Sequence, residues 1–271
     1  MAMRKSWAIW LDSQKWVPGC HWLTQEIIRD FLKNDPDSYH CFLWSNHLAY
    51  AESYEINQRF GSENIHTTRH MLLSDLKDYF SSKRISLHKD VDSIFDVGCS
   101  LGYFLHYLET DVCLDATTFE GVDIDGYAIR TGKTFLNKKG SKTRIFEGEI
   151  TNLESVMGNK CYDLVFCLGV LLYLTEDKAA SVINEMLNHA NKLVVISGLA
   201  HPKVVNSKMR KSEGRKQDGG WIHNIDEMVN RAGGTVLYRR WQGDRIVDEN
   251  TIYFIFCCRN TKSLGRMPHI T

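Results

Sequence analysis

Ser93-Ile94-Phe95-Asp96-Val97-Gly98-Cys99-Ser100-Leu101-Gly102-Tyr103-Phe104 joins a strand, a tight turn and a helix start in one short stretch. Ile94, Phe95 and Val97 read as a buried strand core, and Gly98 and Gly102 supply a turn whose backbone a ligand can approach closely. A helix opening near Leu101 then presents unpaired N–H groups at the crevice outside the carboxyl end of a parallel strand. Open α/β sheets bind nucleotide-like ligands at that place. The stretch is not a Walker loop, because the Gly-Lys-Ser/Thr ending is missing, and Leu105 spoils the three-glycine dinucleotide fingerprint.

The rest of a doubly wound sheet follows in order. Phe119-Glu120-Gly121-Val122-Asp123-Ile124-Asp125 reads as a second strand about 20 residues on, where such folds place an acid that accepts from ribose hydroxyls. Asp123 closes that strand, and Asp125 reads as the cap of a helix over 126–136. Arg144 to Ile150 reads as a third strand and Tyr162 to Leu168 as a fourth, followed by the apolar loop Val170-Leu171-Leu172-Tyr173-Leu174. Ala179, Val182, Ile183, Met186, Leu187 and Ala190 repeat at helical spacing over 176–190, ahead of a fifth strand, Leu193-Val194-Val195-Ile196-Ser197. A helix over 225–231 precedes strands at 235–241 and 251–258, joined by the polar turn Gln242-Gly243-Asp244.

Asp96-x-Gly98-x-Ser100-x-Gly102, with Gly121-Val122-Asp123 downstream and a closing hairpin, resembles motif I and the strand order of the class I S-adenosylmethionine-dependent methyltransferases. Ser100 stands where the commoner residue is glycine. The resemblance spans roughly residues 65–258. It implies an α/β fold with a seven-stranded, mostly parallel sheet, an antiparallel last strand and helices on both faces. It also implies S-adenosyl-L-methionine as cofactor, with Asp123 on the ribose and Glu149 with the Ile150 N–H on the adenine. Arg69, near the start of a helix over 67–80 that carries His66 and His70, is placed to pair with the methionine carboxylate, or is a solvated surface cation. The full contact set implied is Arg69, Asp96, Gly98, Cys99, Ser100, Gly102, Phe104, Asp123, Ile124, Glu149, Ile150 and Leu168. Tyr162 to Leu174 resembles motif IV without its Asn/Asp-Pro-Pro-Tyr element, which argues against amide- and base-directed chemistry and looks more like small-molecule enzymes.

The 271 residues are 43% apolar and carry 33 acids against 33 lysines and arginines. That length supports one large core, and zero net charge argues against a nucleic-acid partner or an anionic membrane surface. Eight cysteines occur without Cys-x-x-Cys or ligand-like Cys/His spacing, so they read as reduced core residues and no metal is expected. With neither a signal-length nor a membrane-length apolar run, a cytoplasmic protein is expected.

Two segments remain for the acceptor. Trp7, Trp10, Trp16, Trp22 and Trp44 are five of the seven tryptophans and all lie in the first 44 residues. They read either as packing groups that dock short helices or as the wall of an acceptor pocket. Helices are expected at 24–32, capped by Thr24, and at 42–57, with Asn34-Asp35-Pro36-Asp37 breaking the chain between them. Pro202 to Gly220 holds Lys203, Lys208, Arg210, Lys211, Arg215 and Lys216 and reads as a solvated loop or a lid that attracts an anionic acceptor.

The expected layout is a helical cap over 1–64, a catalytic domain over 65–260 with its basic loop, and a tail over 261–271. His223 is the first choice as general base, with His201 and Tyr173 on neighbouring loops as further candidates. Methyl transfer to N or O of a small molecule is the leading reading. A protein or tRNA methyltransferase docking through the basic loop, and a non-catalytic cofactor-binding subunit, are the alternatives.

Overall fold

The computed structural model describes residues 2–14, 16–48, 67–215, 218–241 and 252–260. Its centre is a seven-stranded sheet in the order β3-β2-β1-β4-β5-β9-β8. The strands are β1 (Ser93–Val97), β2 (Thr118–Asp123), β3 (Arg144–Glu147), β4 (Tyr162–Cys167), β5 (Ala190–Leu199), β8 (Gly234–Trp241) and β9 (Ile252–Arg259). Neighbours from β3 to β5 pair in parallel, and β9 runs antiparallel between β5 and β8. The expected antiparallel closing strand is therefore β9, inserted rather than at the edge.

The strands are apolar almost throughout because each supplies both faces of the sheet. Ile94, Leu164, Phe166, Val195, Phe254 and Phe256 join one apolar cluster, and their alternating neighbours Phe95, Val165, Cys167, Val194, Ile255 and Cys257 join another. On the chain's N-terminal side, α1 (Ala2–Ser13), α2 (Cys20–Asn34) and α3 (Pro36–Ser45) precede α4 (Thr67–Ser82). Helices α4, α5 (Tyr103–Tyr107) and α6 (Gly126–Lys139) cover the first face through Leu72, Leu76, Phe80, Phe104, Ile129 and Leu136. Helices α7 (Leu153–Met157), α8 (Glu176–His189) and α9 (Ile225–Arg231) cover the second.

Helices α1 to α3 have a small core of their own, in which Ala8, Ile28, Phe31, Tyr39, Phe42 and Leu43 are buried. Here the chain departs from expectation. Thr24 is not a cap: it lies inside α2, buried, with its hydroxyl donating to the Cys20 carbonyl at 3.0 Å. The break before α3 shrinks to Asp35, because Pro36 occupies the first turn of a helix, where its missing N–H costs nothing. The expected helix over 42–57 ends at Ser45, and its remainder beyond 48 lies outside the described residues. So do the tail 261–271, the turn Gln242-Gly243-Asp244, His66 and Lys216.

Four of the five N-terminal tryptophans point outward, with Trp7, Trp10, Trp16 and Trp22 56–77% exposed. Helix α1 buries Ala8 and Leu11 instead, and none of these four rings lines the cavity described below. The basic segment is built rather than loose over its described residues. Asn206, fully buried, donates to the Leu199 and His223 carbonyls, and β6 (Glu213–Gly214) pairs with β7 (Trp221–Ile222) in a small hairpin. No helix among the described residues is long and apolar enough to cross a membrane.

Candidate functional site

The turn after β1 is held by its own backbone. The Gly98 and Cys99 N–H groups donate to the Val122 carbonyl at 2.8 and 3.0 Å, tying the turn to β2. Gly98 has φ +81°, and a Cβ there would lie 2.2 Å from Val170 Cγ2, so no side chain fits. Ser100 adopts φ +50°, a left-handed conformation costing a non-glycine residue about 1–2 kcal/mol. In return its N–H reaches the Asp123 carboxylate at 2.8 Å, joining the turn to the end of β2.

Asp123 also accepts from the Asp125 N–H at 2.9 Å. Burial pushes its carboxyl above the usual range, against the pull of these N–H donors. Both oxygens keep lone pairs for hydroxyl donors. Asp125 caps α6 as expected, accepting from Tyr127 and Ala128 at 2.9 and 3.0 Å, and its second oxygen holds His47 of the N-terminal segment at 2.7 Å. Beneath the turn, burial pushes the Asp96 carboxyl up to about 7; Arg69 opposes the rise and the Asp123 charge adds to it. The Arg69 guanidinium lies 5.0 Å over the Phe104 ring.

These elements enclose a cavity of about 290 Å³ at the carboxyl ends of β1, β2 and β4. Arg69, Gly98, Ser100, Asp123, Ile124, Glu149, Ile150 and Leu168 line it, as does Tyr173. The remaining expected contacts stand behind this lining. Asp96, Cys99 and Phe104 are buried beneath it, and Gly102 caps α5 with φ +77°. β3 ends at Glu147, so Glu149 is not a strand residue; it lies in the following turn, exposed, accepting from the Thr151 hydroxyl at 2.8 Å.

Part of the lining comes from α3. Asp37, His40, Cys41 and Trp44 line the cavity together with the glycine turn, at i, i+3, i+4 and i+7 on one helix face; Trp44 is the one of the five N-terminal tryptophans that lines it, and Asp37, His40 and Cys41 were not foreseen. That spacing was the available signal, hidden by reading Pro36 as a chain break. The His40 ring lies 4.8 Å from Tyr173, and Trp44 lies 5.2 Å from the same ring. Thr151, Gly169, Val170, Leu174 and Lys178 complete the lining.

A family model described as a methyltransferase domain matches residues 94–192, the stretch from β1 to β5 that carries the glycine turn, Asp123 and the loop after β4. Residues 94–192 thus match a methyltransferase domain, and the sheet around them has the seven-stranded order of the class I S-adenosylmethionine-dependent methyltransferase fold. Solved structures share that fold at low identity. Magnesium protoporphyrin IX methyltransferase from Synechocystis PCC 6803, with bound SAH, is 13% identical with a TM-score of 0.55, covering 87% of this chain and 100% of its own. A SAM-dependent methyltransferase from Leishmania major is 12% identical with a TM-score of 0.60, covering 85% of each chain. One from Clostridium acetobutylicum ATCC 824 is 12% identical with a TM-score of 0.55, covering 78% of this chain and 99% of its own. No curated protein matches the sequence.

The cavity suits S-adenosylmethionine. Gly98 lets the turn pack on Val170 while its backbone stays in the lining, Asp123 offers a carboxylate, and Ile124, Ile150 and Leu168 are apolar surfaces for a ring. Two of the three expected base candidates are not in its lining. His223 is 3% exposed, with Nδ1 2.7 Å from the Ser212 hydroxyl and Nε2 donating to the Leu171 carbonyl at 2.9 Å. Burial lowers its pKa, so the ring is a neutral strut between β7 and the loop after β4. His201 accepts from the Lys203 and Val204 N–H groups through Nδ1 and faces Glu213 at 3.3 Å, closing the start of the basic segment.

Proposed function

We propose that this methyltransferase moves a methyl group from S-adenosylmethionine to N or O of a small molecule seated beneath α3. The observation carrying this reading is one cavity lined both by the motif residues and by Asp37, His40, Cys41 and Trp44 of α3. A pocket of about 290 Å³ suits a small acceptor better than a macromolecular one.

When bound, S-adenosylmethionine supplies a methyl carbon on a positively charged sulfur, open to in-line attack. The protein's share is positioning and exclusion of water. Asp123 accepts from the ribose hydroxyls; Glu149 and the Ile150 N–H read the adenine edge; Arg69 pairs with the methionine carboxylate, held on the Phe104 ring. His40 takes the acceptor's proton in place of His223. It lines the cavity, and burial lowers its pKa against the opposing pull of Gly219 and Asp218, leaving a neutral imidazole at pH 7.

The test is a turnover assay on cell extract divided at about 1 kDa, reading S-adenosylhomocysteine released. Methyl incorporation in the small fraction, insensitive to salt, supports this reading. Incorporation only into protein or RNA, falling steeply with ionic strength, overturns the acceptor assignment. Cofactor binding without turnover in either fraction, while a matched control enzyme turns over, overturns the catalytic one.

A further inference from the structure

The cap end of the cavity has a composition of its own. His40 and Trp44 stand one turn apart on α3 with Tyr173 facing both, at centroid distances of 4.8 and 5.2 Å and interplanar angles of 50° and 56°. Both contacts are tilted rather than stacked, and all three rings line the cavity. His40 is buried, 7% exposed. Asp37, a turn before His40 on the same helix, adds a carboxylate to this part of the lining, to which Lys178 also belongs.

Aromatic faces attract cations through their negative π clouds, most strongly for tryptophan, and carboxylates nearby add long-range attraction. A neutral acceptor would gain from the rings but not from the Asp37 carboxylate, and an anionic one would be repelled by it. We infer that the corner formed by Trp44, Tyr173 and His40, with Asp37 beside it, is a binding site for an organic ammonium group, so that the acceptor is an amine-bearing small molecule. The assignment rests on the proposed placement of the acceptor beneath α3. Burial keeps His40 uncharged at neutral pH, so it adds no repulsion to a cation at this corner.

The experiment saturates the protein with S-adenosylhomocysteine, whose sulfur is uncharged, and titrates choline against its neutral isostere 3,3-dimethylbutan-1-ol by calorimetry, at constant ionic strength. Choline is expected to bind saturably, at least tenfold tighter than the isostere. Trp44→Ala and Asp37→Asn should each weaken choline at least fivefold while leaving S-adenosylhomocysteine affinity within threefold. Trp44→Phe, which keeps a ring, should lose less, and it serves if the alanine variant does not fold. Equal binding of the isostere, or no binding of choline, overturns the inference. Competition of choline with S-adenosylhomocysteine also overturns it, because the rings would then belong to the cofactor's end. Should S-adenosylhomocysteine itself fail to bind, the cofactor reading falls; the same titration on the free protein still decides whether the ring corner selects a cation.

Discussion

Gly98 and Val170 are in such close register that a methyl group on the first would overlap the second at 2.2 Å. The turn after β1 and the loop after β4 therefore meet with the Val170 side chain packed directly on the Gly98 backbone. Gly98→Ala adds this overlap to the left-handed penalty of about 1–2 kcal/mol. We expect a lower melting temperature and loss of S-adenosylhomocysteine binding. Adding Val170→Ala should recover part of the stability, since the overlap goes but φ +81° remains; full recovery would show that the backbone conformation costs nothing.

Asp123 joins the turn to β2 and offers its remaining lone pairs to the ribose. Asp123→Ala removes a charged acceptor worth about 1.5–3 kcal/mol, so cofactor affinity should fall about 10- to 150-fold by calorimetry. A change below threefold would remove Asp123 from the ribose contact.

Asp96 carries a pH signature. Its folded-state pKa of about 7 lies above the usual 3.8, so the native state holds this proton more tightly than the unfolded chain does. Stability from this group is therefore complete below about pH 4 and declines as the pH rises towards 7. Asp96→Asn keeps the neutral form at every pH. Its stability relative to the parent should shift in the variant's favour by on the order of 2 kcal/mol between pH 5 and 8, read by denaturant unfolding. A pH-independent difference would contradict the assignment.

His223 should behave as a strut. His223→Ala strands the Leu171 carbonyl and the Ser212 hydroxyl in a buried site, costing about 1–3 kcal/mol of stability. Cofactor affinity should hold within twofold, and the pH profile of turnover should keep its shape. Loss of a basic limb from that profile would restore His223 as the base.

Much of the architecture was legible in the chain because strand burial leaves a local record. Phe95 and Val165 on one face alternate with Ile94 and Leu164 on the other, so continuous apolar runs announced a sheet covered on both sides. Asp125 was readable as a cap, and the glycine turn by its spacing. The cap was not, because Pro36 reads equally as a break or as a helix's first turn, and only the packing of α3 over the cavity decides. His223 and His201 sit on loops at the correct edge of the sheet, but loop sequence does not record which way a side chain turns. The outward tryptophans show the same limit: Trp7 and Trp10 touch each other at 5.9 Å and lie largely in solvent, which composition could not distinguish from a pocket wall.

The central claim is that the cavity between the glycine turn and α3 holds the cofactor. Thermal unfolding with S-adenosylhomocysteine at 100 times its dissociation constant tests it directly, since a ligand bound only by the native state then adds about 2.7 kcal/mol. A raised melting temperature in the parent that is abolished in Gly98→Ala and cut to about half or less in Asp123→Ala, at the same ligand concentration, is the predicted result; no shift in the parent, or an equal shift in all three proteins, would contradict it.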